Sequence, residues 1–323
     1  MGTVKTGVPD IMMQTQINRK QSGTALVTAL LIVALASVIA TAMLKQQHID
    51  IRRAENMIKG DQAVLYLRAG ENWVRQLLIE DLEKGEVDSL NDNWTKIDSS
   101  IEIGNGAIKI QVEDLQGRFN LNNLLDKEGR PSPVDIEHFR NLLAVLELDT
   151  ELVQPVLDWM DADINISLPA GAEDQEYLAL ERPYRTANAA FVSVSELLLV
   201  KGFNRTVYDK LRPFISALPN RVDINVNTVS IPLLAAILRT SLIDAETVFR
   251  NRPQLGYQDI AEFRGEQALI GKKVNGISVA SQFFKTRVIV ELGRYNANQT
   301  SVIARDNKGI SLPRVIQRSR AEL

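Results

Sequence analysis

Residues 20–44 read KQSGTALVTALLIVALASVIATAML, and from Thr24 to Leu44 this stretch carries no charge. An α-helix rises 1.5 Å per residue, so an apolar run of about 20 residues spans the roughly 30 Å hydrocarbon core of a bilayer. The sequence therefore predicts a membrane-spanning helix near the N-terminus, and the rest of the chain forms the body that this helix anchors.

A small residue stands directly before the apolar run. A secretory signal has a shorter apolar core, and its cleavage site of small residues follows that core. Here Gly23 precedes the run, which predicts cleavage between Gly23 and Thr24, loss of a leader formed by residues 1–23, and retention of the hydrophobic helix. An uncleaved single-pass anchor is the alternative.

Charge indicates the orientation of the chain and restricts its partners. Lys5, Arg19 and Lys20 precede the apolar run against a single Asp10, so the positive-inside rule places the N-terminus in the cytoplasm and the body across the membrane. The net charge is −3 and no long basic run follows the anchor, which argues against nucleic acid as a partner. Because the chain has no cysteine, disulfides and thiolate metal sites are excluded.

The helical pattern continues beyond the anchor. Apolar side chains recur at helical spacing with polar residues between them, so the second half of the helix is expected to be amphipathic. Gly60 and Gly70 each weaken a helix by about 1 kcal/mol relative to alanine without breaking it. We predict one helix from Thr24 to about Leu82, ended by Gly85.

Strand patterns stand at both ends of the remaining chain. Apolar and polar residues alternate over 101–103 and 107–113, and the Gly104-Asn105-Gly106 joint predicts a β-hairpin. Helical periods fill the middle, so we expect an α+β fold in which a helical insertion splits an antiparallel sheet. The predicted helices are 134–148, 151–161, 194–200, 205–215, 231–240, 244–250 and 257–263, and the predicted late strands are 278–284, 287–292, 301–304 and 315–317.

The residues that catalysis requires are sparse. His48 and His138 lie on separate predicted helices, and the chain has no Gly-x-Ser-x-Gly nucleophile elbow. Residues 265–273 resemble a phosphate-binding P-loop, but they contain one residue too many and lack the Ser or Thr after the lysine. We therefore expect a protein that is not an enzyme, and the same absences argue against a calcium-dependent hydrolase.

One acidic cluster stands out in the helical region. Crowded carboxylates repel one another unless water or a cation neutralises them, and calcium, which takes six to eight oxygen ligands, suits such a cluster better than magnesium. Asp161-x-Asp163-x-Asn165 matches the start of an EF-hand loop, but the glycine and the final glutamate of that motif are missing. A solvated acidic loop, paired in part with Arg182 and Arg185, is the alternative. The carboxylates are Asp158, Asp161, Asp163, Glu173, Asp174 and Glu176.

The segment Asp223-Ile-Asn-Val-Asn-Thr228 leads into a pair of short predicted helices and resembles a helix-hairpin-helix module. DNA-binding versions of that module present a glycine-rich hairpin with basic residues to phosphate groups. The joint Thr240–Ile243 has no glycine and no basic patch. The pattern therefore favours a packing module over a DNA-binding one.

Six short motifs occur in a distinctive order along the chain. They are Gln21–Leu31, Asp114–Leu124, Trp159–Asp163, Gly171–Asp174 with Tyr177, Pro183–Asn188 and Asn225–Thr228. With these motifs in this order, the chain resembles the K subunits of type II secretion systems, the large minor pseudopilins. The resemblance extends from Lys20 to the last strands.

The resemblance carries expectations about fold, processing and metal binding. It implies cleavage after Gly23 and N-methylation of Thr24 by prepilin peptidase. It also implies a pilin-like long helix packed on an antiparallel sheet, with an inserted all-α region built from two SAM-like modules. Calcium is expected near that region, with Asp161, Asp163, Glu173 and Asp174 as its ligands. The implied segments are the leader 1–23, the membrane helix 24–44, the pilin-like parts 45–118 and 276–323, and the modules 119–220 and 221–275.

The same resemblance invites a comparison with major pilins, and one position of this chain departs from their pattern. Those subunits carry a glutamate at mature position five, neutralised by the N-terminal amine of the subunit above. Counted from Thr24, position five is the neutral Thr28. An unpaired carboxylate is expensive in lipid, so a subunit without one needs no neighbour above it. Thr28 therefore fits a subunit at the filament tip.

The resemblance finally implies partners and a place in the cell. The expected partners are the I and J minor pseudopilins, the major pseudopilin, prepilin peptidase and the inner-membrane assembly platform, together with exported substrates. The anchor would lie in the bacterial inner membrane with the body in the periplasm, where the subunit would nucleate a filament for protein export. The alternative is a membrane-anchored, DNA-binding competence-type protein.

Overall fold

The computed structural model describes residues 1–3, 18–97, 100–104 and 106–320, with the backbone alone for 18–22 and 268. Its helices are α1 (Asn18–Lys84), α2 (Pro133–Val145), α3 (Val153–Met160), α4 (Asp174–Leu178), α5 (Arg205–Leu211), α6 (Ile231–Leu238), α7 (Leu242–Arg250) and α8 (Ile260–Arg264). Its strands are β1 (Ile101–Ile103), β2 (Gly106–Asp114), β3 (Phe119–Asn120), β4 (Ile215–Ser216), β5 (Ile224–Asn225), β6 (Ile277–Ser278), β7 (Phe283–Leu292), β8 (Tyr295–Ala304) and β9 (Arg314–Ser319).

The chain divides after Asp61 into two compact units, and the first comprises residues 1–61. Its described part is residues 1–3 and the first portion of α1, in which every residue from Gly23 to Ile58 is exposed. This portion is long and apolar enough to cross a membrane by length and composition. Most of the predicted leader, including Lys5 and Asp10, lies outside the described residues.

The second unit, Gln62–Leu323, begins with the last turns of α1. That helix ends at Lys84, two residues beyond the predicted end, and the Gly85 N–H donates to Asp81 O at 3.3 Å. Beneath it lies a five-stranded antiparallel sheet in the order β1-β2-β7-β8-β9. The expected long helix on a sheet split by a helical insertion is therefore confirmed. The shared core comprises Ala63, Leu67, Val74, Leu78, Trp94, Ile108, Ile110, Phe284, Val288, Val290 and Ile303.

Gly70 has a packing role that its low helix propensity hides. A Cβ at this position would lie 2.8 Å from Val288 Cγ1 and 3.2 Å from Ile110 Cδ1. Only glycine lets the helix backbone approach β2 and β7 so closely. Gly70 thus marks the point where α1 rests on the sheet.

The hairpin and the late strands follow the predicted pattern with one difference. Ile101 pairs with Ile108 and Ile103 with Gly106, while the tip residue Asn105 lies outside the described residues. The predicted strand 287–292 and the last two residues of the predicted strand 278–284 form one strand, β7, whereas Ser278 belongs to β6 and residues 279–282 are not in a strand. Thr286 is buried and pairs with Val112, so the polar residues that suggested a break continue the ladder.

The helical insertion lies between β2 and β7 and has its own apolar core. The expected helices are present with changed bounds: most are shorter, α7 begins two residues earlier than predicted, and α8 is shifted towards the C-terminus. The segment 194–200 forms a 3₁₀-helix over Val194–Leu199. Tyr257, expected to be helical, precedes α8 and stacks edge-on against Phe263 with a 5.1 Å centroid separation. The core includes Phe119, Phe139, Leu142, Leu143, Val156, Trp159, Leu211, Ile215, Leu233, Leu234, Ile237, Val248, Tyr257 and Phe263.

Two short parallel strand pairs were absent from the sequence prediction. Strand β3 pairs with β4 and β5 pairs with β6, each over two residues. Two residues are too few to show the alternation by which a strand is recognised. These pairs join segments of the insertion that lie about a hundred and about fifty residues apart in sequence.

Candidate metal centre

The residues of the proposed processing site lie on α1. Gly23, Thr24 and Thr28 are helical and exposed. The Thr28 hydroxyl lies 3.1 Å from Thr24 O and 3.0 Å from Ala25 O, to which it donates. Its polar group is therefore satisfied by the backbone of its own helix, and it requires no partner from another subunit.

Three of the four proposed calcium ligands converge in the insertion. One oxygen each from Asp161, Asp163 and Glu173 lies within 4.8 Å of the others. Asp161 ends α3, where its N–H donates to Leu157 O at 2.9 Å, and Glu173 directly precedes α4. Two helix termini therefore hold the outer members of the cluster, and the loop between them supplies Asp163.

Glu173 is buried and Asp161 is half-buried, and three of their four side-chain oxygens are buried without a donor from the described residues. Glu173 is 4% exposed, and within the described part of the chain neither of its side-chain oxygens accepts a hydrogen bond. Asp161 Oδ1 is likewise buried and unpartnered. A buried acceptor without a donor costs about 1–3 kcal/mol, and more when it is charged. No protein group that the structure describes offsets the free-energy cost of these unpartnered oxygens, whereas a bound cation would offset it.

Burial and mutual repulsion both disfavour the charged forms of the two buried groups. Burial raises the pKa of Glu173 to about 7, and the carboxylates of Asp158 and Asp161 add to the rise. Burial, followed by repulsion from Asp163 and Asp158, raises the pKa of Asp161 to about 6. Such shifts are typical of a site that a cation completes.

Asp174, the fourth proposed ligand, takes part in other contacts. Its Oδ1 accepts hydrogen bonds from the Thr186 N–H and hydroxyl, both at 3.0 Å, and its Oδ2 lies 3.2 Å from Arg185 Nη1. Both oxygens thereby have donors. Asp174 is not part of the converging group, and it fastens α4 to the segment around Thr186.

Asp158 supports the site from below. It is fully buried, and its carboxylate accepts hydrogen bonds from Ser167 N at 3.1 Å and Ala172 N at 2.8 Å. The aromatic rings of Trp159, Tyr177 and Tyr184 form a wall behind it, with centroid separations of 5.3–6.2 Å. These contacts fix the loop between the ligands.

The donor set fits calcium on chemical grounds. All donors are oxygen atoms, and three carboxylates offer up to six of the six to eight oxygens that calcium takes, with water free to supply the rest. The third EF-hand-like position, Asn165, instead donates through Nδ2 to Asp163 Oδ1 at 2.8 Å and orients that carboxylate. Asp161, Asp163 and Glu173 are therefore the residues that would hold the ion.

A second polar cluster, which sequence reasoning missed, joins the sheet to the insertion. Asp114 is buried at the end of β2 and accepts hydrogen bonds from the hydroxyls of Thr228 and Ser281, both at 2.6 Å. Asn225 Nδ2 lies 3.1 Å from the same carboxylate and 3.1 Å from Asp88 O. The Asn225–Thr228 motif, noted above for its resemblance to a DNA-binding turn, thus forms part of the packing.

Arg305 completes this cluster from the end of β8. Its side chain is 1% exposed, and Nη2 lies 2.6 Å from Asp88 Oδ1 and 2.5 Å from Oδ2. Its Nη1 lies 3.2 Å from Asp81 Oδ2, and its guanidinium lies over the Phe284 ring at 4.8 Å. Burial raises the pKa of Asp88 to about 7, and the Arg305 charge opposes that rise. Although Asp81, Asp88 and Asp92 also converge, Arg305 already pairs with Asp81 and Asp88, and the Asp92 carboxylate accepts hydrogen bonds from the Ser89 N–H and hydroxyl.

Comparison with known proteins shows which family this chain is similar to. A family model described as type II secretion system (T2SS), protein K, matches residues 117–220, and a second of that description matches residues 224–283. The type II secretion system protein K of Pseudomonas aeruginosa is 34% identical over 306 residues, 91% of each chain. That of Aeromonas hydrophila is 33% identical over 325 residues, 92% of this chain and 97% of the relative.

A solved structure shares the fold. The crystal structure of the GspK-GspI-GspJ complex from the enterotoxigenic Escherichia coli type 2 secretion system contains a chain that superposes with a TM-score of 0.74 at 24% identity. The match covers 84% of this chain and 100% of that one. From its sequence relatives and its domain matches, the chain belongs to the type II secretion system protein K family of minor pseudopilins.

Proposed function

We propose that this chain is the tip subunit of the pseudopilus, where it caps the filament and nucleates its assembly in the inner membrane. The observation that carries this proposal is the state of Thr28. Its hydroxyl is satisfied within α1, so this helix presents no charge that a subunit above would have to neutralise. The helical insertion adds bulk to the body, which suits a subunit that ends a filament.

A substitution at position 28 tests the tip assignment. Thr28→Glu would place a carboxylate in the membrane where, at the tip, only the chain's own Thr24 amine could neutralise it. We expect reduced or unchanged secretion and no incorporation along the filament shaft. Thr28→Val, which removes the hydroxyl without adding charge, is the matched control and should behave as wild type. Incorporation of the glutamate variant along the shaft with full secretion would refute the assignment.

The proposed partners begin with the other minor pseudopilins. The structural neighbour was crystallised in a complex named GspK-GspI-GspJ, which supports binding of I- and J-type subunits here. The amphipathic end of α1 offers a contact surface, since Leu65 and Trp73 remain 65% and 40% exposed. We expect a 1:1:1 complex with this chain at the distal end. Further proposed partners are the major pseudopilin, the inner-membrane assembly platform and exported substrates.

Maturation and topology follow from the same assignment. We propose that prepilin peptidase cleaves after Gly23 and methylates the Thr24 amine. The helix 24–44 would then remain as a single-pass anchor in the inner membrane, with the N-terminus cytoplasmic and the body periplasmic. Its length and apolar composition support this topology. The two family-model matches, 117–220 and 224–283, support a division of the insertion into SAM-like modules 119–220 and 221–275.

We propose a structural calcium ion and no enzymatic activity. Asp161, Asp163 and Glu173 would hold the ion, and the unpartnered oxygens of Glu173 support this assignment. When bound, calcium supplies positive charge that neutralises the cluster and joins the ends of α3 and α4. The role fits an assembly protein, in which the ion stabilises a shape.

A further inference from the structure

The loop between the proposed calcium ligands exposes large apolar side chains. Ile164, Ile166 and Leu168 are 79%, 44% and 83% exposed. The nine residues from Ile164 to Ala172 contain no charge, although an acidic residue flanks them on either side. We call the segment from Ile164 to Ala172 the 164–172 loop. Its water-exposed aliphatic side chains stand at alternate positions and form an apolar tip.

The base of this loop is rigid. The Gly171 N–H donates to Ser167 O at 2.7 Å, and the buried Asp158 carboxylate accepts from Ser167 N and Ala172 N. A Cβ on Gly171 would lie 2.1 Å from Asp158 Oδ2, so a side chain there would clash with this arrangement. Asp163 and Glu173 stand at the two ends of the loop within the metal-binding group. A bound cation would therefore close the loop at its base and hold the apolar tip outward.

The size of the apolar tip favours a lipid surface as its partner. A standard protein–protein interface takes about 800 Å² from each partner, more than three aliphatic side chains supply. Insertion into a membrane interface requires only apolar groups that reach roughly 5–10 Å into the headgroup boundary. Three exposed aliphatic side chains therefore fit insertion into a lipid surface better than a protein interface of standard size.

Charge makes such binding depend on the ion. The carboxylates of Asp161, Asp163 and Glu173 would repel the anionic surface of a bacterial membrane. Calcium would neutralise them. If each carboxylate binds through one oxygen, the ion also retains positions that phosphate oxygens of lipid headgroups can fill.

We propose that the calcium-bound 164–172 loop inserts Ile164, Ile166 and Leu168 into a lipid bilayer surface. This inference rests on the calcium site proposed above. It assigns to the inserted helical region a membrane contact that is separate from the N-terminal anchor.

The test separates this contact from the anchor. The full chain is held in nanodiscs through its own helix, and free vesicles of phosphatidylethanolamine and phosphatidylglycerol are added. Flotation with calcium or with EGTA then measures capture of the second membrane, and empty nanodiscs give the background. We expect capture in calcium only. The Ile164→Ser/Leu168→Ser variant should capture vesicles at least about tenfold less, because two aliphatic groups no longer transfer from water into the bilayer.

Matched variants and melting curves distinguish the outcomes. Ile243→Ser, at a residue of α7 that is 77% exposed, should leave capture unchanged. The loop variant should keep the calcium-dependent rise in melting temperature, which shows that its site is intact. No capture by a chain whose melting still responds to calcium overturns the membrane contact and leaves the calcium site standing. A melting curve indifferent to calcium overturns both. Absent capture with weakened binding of the I and J subunits would identify the loop as a protein contact instead.

Discussion

Replacing Arg305 with methionine removes the cation that pairs with the buried acids Asp81 and Asp88 at the sheet–insertion junction. Asp88 is fully buried and receives two hydrogen bonds from Arg305 Nη2, and Asp81 receives one from Nη1. Methionine fills much of the same volume but neutralises nothing. The substitution therefore isolates the electrostatic role of Arg305 from its packing.

The expected cost follows from burial. Removing one partner of a buried ion pair destabilises a protein by about 3–5 kcal/mol, whereas exposed pairs contribute about 0–1 kcal/mol. For a body of this size, each kcal/mol corresponds to roughly 2–4 °C, so the melting temperature should fall by about 10 °C. Arg250→Met is the matched control, because Arg250 is 75% exposed in its pair with Glu246 and should change the melting temperature little.

The cost should also depend on pH. Burial raises the pKa of Asp88 to about 7 in the folded chain, so protonation near that value relieves the unpaired charge. The folded state binds this proton more tightly than the unfolded state, whose carboxyl titrates near 4, and stability therefore falls as pH rises towards 7. Without Arg305 that pKa rises further. The difference between Arg305→Met and wild type should accordingly be larger at pH 8 than at pH 5.

Tryptophan fluorescence is the assay, on the full chain in detergent. Trp94 is 1% exposed and packs edge-on against Phe284, the ring that Arg305 covers, so it reports unfolding at this junction. The Arg305→Met/Asp88→Asn double variant should recover part of the loss, because its amide is neutral at every pH. If Arg305→Met melted with the Arg250→Met control at both pH values, the electrostatic reasoning would be wrong.

Three further predictions concern metal, packing and processing. EDTA should lower the melting temperature of the chain, since calcium at a hundredfold excess over Kd stabilises by about 2.7 kcal/mol. Asp161→Ala should abolish the difference between the melting temperatures with and without EDTA. Asp174→Ala should lower the stability of the chain but leave that difference in place. Gly70→Val should destabilise by more than the roughly 1–3 kcal/mol typical of overpacking, because even a Cβ would meet Val288 at 2.8 Å, and chemical denaturation measures it. Gly23→Val should leave the leader attached in membranes that contain prepilin peptidase, and N-terminal sequencing of a normally matured variant would contradict the processing assignment.

The sequence predicted those parts of the fold in which a period persists over many residues. The apolar and amphipathic halves of α1 and the alternation in β2 each repeat long enough to be recognised, whereas only residues 301–304 of β8 were predicted. By contrast, β3 and β4 are two-residue strands whose pairing depends on chain contacts between Phe119 and Ile215. No local pattern contains that information.

The sequence predicted which kinds of residue make up the candidate metal site, but it did not predict how their side chains are arranged. The crowding of carboxylates around Asp161 indicated a cation, but residue spacing could not show that Asp174 turns away to Thr186 and Arg185. The Arg305–Asp88 pair joins residues more than two hundred positions apart, and a single sequence carries no signal of that contact. Side-chain direction at a loop is set by tertiary packing, which the sequence pattern does not encode.

The buried polar junction determines how the insertion is attached. Asp114 ends β2, where the chain enters the insertion, and Ser281 stands before β7, where the chain returns. The Ser281 hydroxyl donates to Asp114 at 2.6 Å, and Thr228 from within the insertion donates to the same carboxylate. A hinge motion at these crossings would remove the Thr228 and Ser281 donors from a buried carboxylate and leave it the local Gln116 N–H, which lies 2.8 Å from Oδ1, at a cost of about 1–3 kcal/mol or more. The hydrogen bonds of Asp114 therefore oppose movement of the insertion relative to the sheet that packs the last turns of α1.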